Sequence, residues 1–252
     1  MIMRKIACLM AVFLFFSSVT VMYAAGEGGN DARYFVPTTK SFWKNTFGAR
    51  NTFDNGFTAD LNDWQLRLAR IAGLKVIPVK KFTILPVVQD PQPSGTGGPD
   101  QRIEPTDHVP WGIQELSSTA PLARTVGGAG VAVAILDTGV VLNHPDLLGR
   151  VKECKDFTQP KRAVTENECE DKNGHGTHVA GIVAATGGED HRGIYGMAPE
   201  ADLFVYRVCA NDGSCWADDV AVALKTAADN GAQIVTMSFG SDNASSLVSD
   251  AI

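Results

Sequence analysis

The sequence predicts an α/β protein: a domain of parallel βαβ units preceded by a small α+β module. Three observations carry this. Beyond residue 130, short apolar runs alternate with helical segments. Before residue 90, a strand, an amphipathic helix and a β-rich stretch follow one another. Between the two lies P-Q-P-S-G-T-G-G-P-D (91–100), whose Pro and Gly content suits an exposed linker and a site of proteolysis.

The first 25 residues lie outside the fold. Arg4 and Lys5 precede an apolar run from Ile6 to Met22, and Ala24, Ala25 and Gly26 follow. A basic start, an apolar middle and a small-residue end form a secretory signal. An uncleaved anchor is the alternative, but a run of about 17 residues sits at the low edge of a spanning helix. In the module, residues 26–90, Ala32 to Thr38 suits a strand. Asn62 to Ala72, ending at Gly73, suits an amphipathic helix, with Trp64, Leu68 and Ile71 at helical spacing. Leu74 to Leu85 is β-rich, interrupted by Pro78.

After the linker, 91–105, the larger domain spans 106–252. V-A-V-A-I-L (131–136) suits a strand buried on both faces. His175 to Ala185 suits a helix rich in small residues, and Leu203 to Val208 a second strand. Ala217 to Asn230 suits a helix with Gly231 as its C-terminal cap, and Ile234 to Met237 a third strand. Alternation of this kind implies parallel βαβ units. Such sheets bind ligands beyond the carboxyl ends of their strands. Asp137 and Ser238 each follow a strand directly, so one sheet edge should hold both.

Composition narrows the function classes. The 252 residues are 44% hydrophobic and 20% charged, ordinary for a globular protein. The net charge is -6, with no basic patch of the kind nucleic-acid binding requires. In an exported chain, Cys154, Cys169, Cys209 and Cys215 suggest two disulfides. Three connectivities are open; the local pairs Cys154–Cys169 and Cys209–Cys215 each close a polar, loop-like segment. The spacings lack the paired C-x-x-C of zinc sites.

Two motifs carry chemistry. In A-I-L-D-T-G-V (134–140), a carboxylate ends an apolar strand, a costly place unless it is paired. Aspartic-protease chemistry would need a second D-[ST]-G to share a proton, and the chain has none. In N-G-H-G-T-H-V-A-G (173–181), glycines flank His175 and allow close backbone approach. A general base must be neutral, and a buried aspartate would orient it and stabilise the imidazolium formed in the reaction. Asp137 is the candidate orienter. His178 reads as a structural helix residue, and a His175/His178 metal pair lacks a third ligand. His108, His144 and His191 read as turn or surface residues.

D-T-G-V, N-H-P-D-L (143–147), H-G-T-H-V-A-G and G-M-A-P (196–199), with W-G-I (111–113) ahead of them, together resemble the subtilisin family over roughly residues 106–252. The resemblance implies a three-layer, parallel-sheet catalytic domain, incomplete at its C-terminal end, with Asp137 as the orienting aspartate and His175 as the general base. It implies that Gly213 and Ser214 on one side, and Ser238, Phe239 and Gly240 on the other, pair with an extended polypeptide substrate by β-addition. Gly213 and Gly240 then lack Cβ so that the substrate can approach. Module 26–90 resembles the family's prosegment, a partner in cis, with the processing site in the linker. No cofactor is required for the chemistry. Structural calcium is an option through Asp146 and the loop 186–192.

The family's serine motif, G-T-S-x-A, does not occur, nor does the asparagine segment of the oxyanion hole. The sequence therefore predicts a secreted serine endopeptidase whose chain is cut short, so that these residues alone are inactive. The alternative is a non-catalytic pseudoprotease or prosegment-type binding protein that ends at Ile252. No stable membrane association is expected once the signal is removed.

Overall fold

The computed structural model describes residues 32–84, 108–116, 122–160, 162–189 and 192–252. The secretory signal, the linker 91–105 and His191 lie outside the described residues. Those described belong to one compact unit, Ala32–Ile252, and none of their helices is long and apolar enough to cross a membrane.

The module comprises β1 (Arg33–Val36), α1 (Ser41–Phe47), β2 (Thr52–Phe53), β3 (Gly56–Asp60), α2 (Asp63–Ile71) and β4 (Ile77–Pro78). Its strands form an antiparallel sheet in the order β2-β3-β1-β4. Val36, Phe47, Phe57, Ala59, Leu61 and Ala69 make the core between sheet and helices. A capping box starts α2: Asn62 Oδ1 accepts from Gln65 N–H at 2.9 Å, and Gln65 Oε1 accepts from Asn62 N–H at 3.0 Å. The helix turns Leu66, Leu68 and Ala69 toward the core. Trp64 and Ile71, read from spacing as part of its apolar face, are 64% and 85% exposed. At about 100° per residue they fall on the side of the helix opposite Leu66 and Ala69, the side that packs on the core.

The β-rich stretch also divides. Pro78 ends β4, and β5 (Lys81–Ile84) leaves the module altogether. It lies antiparallel between two strands of the larger domain, β10 (Ser214–Trp216) and β12 (Phe239–Gly240).

The larger domain opens with α3 (Trp111–Leu116). It continues through β6 (Ala132–Asp137), β7 (Val151–Asp156), β8 (Thr165–Glu166), α4 (His175–Ala184) and β9 (Asp202–Arg207). After β10 come α5 (Ala217–Asp229), β11 (Ile234–Thr236), β12 and α6 (Ser246–Ser249). The five-stranded sheet runs β11-β6-β9-β7-β8, parallel except for β8. Alternation along β6 explains the three layers. Val133 and Ile135 meet Ala180 and Ala184 of α4 on one face. Ala134 and Leu136 meet Val220, Ala223 and Ala227 of α5 on the other. Disulfides join Cys154 to Cys169 and Cys209 to Cys215.

A buried charge cluster fastens module to domain. Asp218 and Asp219, in the first turn of α5, are 0% and 1% exposed. Arg33 Nη1 donates to Asp218 Oδ1 and Asp219 Oδ2, each at 2.9 Å. Arg50 Nε donates to Asp219 Oδ1 at 3.1 Å, and its Nη2 reaches the Phe157 carbonyl at 2.5 Å. Asn51 Nδ2 donates to both carboxylates, and Thr58 Oγ1 to Asp218 Oδ2 at 2.7 Å. Burial alone would lower the Arg33 guanidinium, but Asp219 and Asp218 hold it above the ordinary arginine value. Burial, with the charge of Asp218, pushes the Asp219 carboxyl up to about 6 against the pull of Arg33 and Arg50.

Candidate active site

Asp137 is the last residue of β6 and His175 the first of α4, so one element ends where the other begins. His175 Nδ1 donates to Asp137 Oδ1 at 2.7 Å, with side chains 7% and 1% exposed. Thr138 N–H donates to the same oxygen at 2.7 Å, and Oδ2 is buried with no hydrogen bond among the described residues. Burial raises the Asp137 carboxyl above the usual carboxylate range, opposed by the bonds from His175 and Thr138. With Nδ1 spent on Asp137, Nε2 is left to take up a proton.

Close backbone approach makes this possible. A Cβ on Gly176 would lie 2.2 Å from Gly139 O and 3.2 Å from the Asp137 Cβ. A Cβ on Gly196, in G-M-A-P, would lie 2.6 Å from Gly181 O and Ala185 N. That loop closes the far end of α4, where Met197 and Ala198 N–H groups bond the Ile182 and Val183 carbonyls.

Asp171 was not singled out from sequence, yet it organises the entry to α4. Its Oδ1 accepts from Asn173 and Gly174 N–H, each at 2.9 Å, and from Thr138 Oγ1 at 3.0 Å. Its Oδ2 accepts from Thr177 N–H at 3.0 Å and Thr177 Oγ1 at 2.6 Å. Thr138 Oγ1 in turn accepts from Gly176 N–H at 2.9 Å. Burial alone would raise the Asp171 carboxyl; the bonds from Thr177, Gly174 and Asn173 hold it below the usual range. An aspartate shortly before an Asn-Gly pair is a turn signal, and that signal was present in D-K-N-G-H-G-T.

Replacing Asp171 with alanine strips one buried donor, Thr138 Oγ1, and four part-buried ones of their acceptor, at about 1–3 kcal/mol for the buried one left unpaired. The melting temperature should fall. An unchanged melting temperature would show that Asp171 does not hold the loop.

The residues read as substrate-binding surround β5. Ser214 pairs with Thr83, Phe239 with Ile84 and Gly240 with Thr83. Ile84 N–H donates to Gly213 O at 3.0 Å. Gly213 has φ +82°, and a Cβ there would lie 2.6 Å from Ile84 Cγ1. Gly240 differs: a Cβ there would meet nothing within 4 Å, so contact with β5 does not account for glycine at that position. Ser238 stands just before β12. The Phe82 and Phe239 rings lie 5.7 Å apart.

Asp146 is buried, and its Oδ2 accepts from Ile194 N–H at 3.0 Å. Calcium takes six to eight oxygens. Among the described residues no group of three or more His, Cys, Asp and Glu side chains is placed to hold a metal. One carboxylate already engaged by an N–H is a thin ligand set. His144 Nδ1 accepts from Asp146 N–H at 3.3 Å, which makes it a turn residue.

Comparison with known proteins points one way. A family model described as the subtilase family matches residues 128–252. A subtilisin of Bacillus sp. (strain TA39) is 37% identical over 242 residues, covering 91% of this chain and 56% of its own length. Subtilisin BL of Lederbergia lenta is 37% identical over 144 residues, covering 57% of this chain and 50% of its own. The chain thus spans about half the length of the relatives it matches. Among solved structures, sphericase aligns with a TM-score of 0.54 and 46% identity over 57% of this chain and 47% of that one. Fervidolysin from Fervidobacterium pennivorans aligns over 90% of this chain and 39% of that one, with a TM-score of 0.61; at 23% identity that likeness speaks to the fold alone.

Proposed function

The chain belongs to the subtilase family, and on that premise we propose that it serves serine-type hydrolysis of peptide bonds, with His175 as general base and Asp137 as its orienter. The observation that carries the proposal is the buried 2.7 Å contact between His175 Nδ1 and Asp137 Oδ1. In this reading a serine Oγ, from a segment these 252 residues do not contain, bonds to the peptide carbonyl carbon as its proton passes to His175 Nε2. The proton then goes to the leaving amine as the C–N bond breaks. Water cleaves the resulting acyl ester by the same route, and Asp137 stabilises the imidazolium each time. On this proposal the 252 residues alone hydrolyse nothing.

Polypeptides would bind as an extended strand between β10 and β12, paired through Ser214, Phe239 and Gly240. The module would act as a prosegment in cis, with β5 occupying that place until processing. Two disulfides and the basic–apolar–small N-terminal pattern support export. Calcium at Asp146 would be structural; no step passes through it.

The test is hydrolysis of a denatured protein by the longer protein carrying this chain, with and without a serine-directed sulfonyl fluoride. Hydrolysis should stop when the serine is modified. Resistance to the reagent, or an absence of hydrolysis, would overturn the proposal.

A further inference from the structure

The end of the cleft remote from Ile84 is built to take positive charge. Trp216 pairs in register with Lys81. Lys81 Nζ lies 4.3 Å from the centre of the Trp216 ring, and Arg33 Cζ lies 4.7 Å from it. The electron-rich face of an indole attracts cations in this geometry. Strand pairing does not stop at Trp216: Ala217 N–H donates to Lys80 O at 3.0 Å. The next two residues are Asp218 and Asp219, whose buried carboxylates are matched by Arg33 and Arg50 of the module. When the module leaves, an aromatic face and two carboxylates lose those cationic partners together.

We propose that Trp216, backed by Asp218 and Asp219, forms a cation-selective subsite. It takes a lysine or arginine side chain three residues before the position Ile84 occupies. The substrate class is therefore extended polypeptide basic at that position. This rests on the cleft reading given above, in which β5 marks the path of a substrate. The charge of Lys81 also reaches Asp212, whose carboxyl lies below the usual range mainly through bonds from Ser214 N–H and Oγ. The adjoining position contrasts with this one: there Phe82 meets Phe239, and no charge is involved.

Hydrogen exchange of residues 81–84 in the whole 252-residue chain tests the subsite without catalysis. Lys81 is exposed, so its replacement does not disturb a core. Lys81→Leu should speed exchange of the β5 amides about two- to fivefold, the range a cation–ring contact supports, and Lys81→Arg should restore protection. Equal exchange in all three chains would overturn the proposal, as would equal loosening by leucine and arginine. A second arm uses the longer active protein and peptides ending K-F-T-I, L-F-T-I or E-F-T-I before the leaving segment. The lysine peptide should be cleaved with the lowest KM, and indifference would overturn the proposal. If no peptide is cleaved, the hydrolase reading falls, and the exchange arm still decides the subsite.

Discussion

Replacing His175 with alanine is expected to lower peptide hydrolysis by the longer protein about 10²–10⁴-fold at least, the range a positioned acid–base group contributes. The loss should fall on kcat, because the imidazole moves a proton in the reaction and lies outside the β10–β5–β12 pairing that would hold substrate. Asp137→Asn is the companion variant. An asparagine can offer its N–H to Nδ1 and so select the tautomer with the proton on Nε2, where a base is needed. Its kcat should fall nearly as far, while peptide binding stays close to that of the parent. Undiminished hydrolysis by either variant would remove the pair from the mechanism.

Arg33→Ala should release the module. Asp218 and Asp219 would stay buried with one of their two arginines gone, and breaking a buried pair from one side costs about 3–5 kcal/mol. That corresponds to weakening of docking by about two to three and a half orders of magnitude. Exchange along β5, or proteolysis of the module, reads it directly. Arg33→Lys should rescue only partly, since an ammonium cannot present the guanidinium's donor fork to two carboxylates. Unchanged protection in Arg33→Ala would mean that β5 alone holds the module.

The same cluster makes docking depend on pH. Asp219 titrates at about 6 when docked and should return toward the ordinary value of about 3.9 once uncovered. A carboxyl whose pKa is raised in the docked state binds its proton more tightly there. Its contribution is therefore full below about pH 4 and is lost as pH rises through about 6. The module should hold more firmly in mild acid than at neutrality, and Asp219→Asn should flatten that slope.

Much of this protein was legible in the chain itself, for physical reasons. The run V-A-V-A-I-L is apolar at every position because β6 is buried on both faces, and the helices around it are marked by small residues in one and by Gly231 at the end of the other. D-T-G and H-G-T-H point to the proposed chemistry in combination, since a carboxylate ending an apolar strand needs a partner and a histidine between glycines admits close backbone approach. Of the three disulfide connectivities the sequence leaves open, the structure has the local pairs, each closing a polar, loop-like segment.

Other features depended on residues distant in sequence. Spacing put Trp64 and Ile71 on one apolar stripe, but packing buried the opposite side of the helix, through Leu66 and Ala69. Asp171 looks like any loop acid until Thr138, 33 residues earlier, and Thr177 come to it. Nothing local indicates that Arg33 meets Asp218, 185 residues away, because burial of a charge is determined by its partner. The same holds for β5. As a sequence, K-F-T-I is an ordinary strand; its place between β10 and β12 was decided by backbone hydrogen bonds to strands distant in the chain. The sequence by itself pointed to the family, to His175 as the proposed base and to Asp137 as its orienter. The tertiary structure decided what fills the cleft and which charges hold it there, since both depend on pairing across the chain.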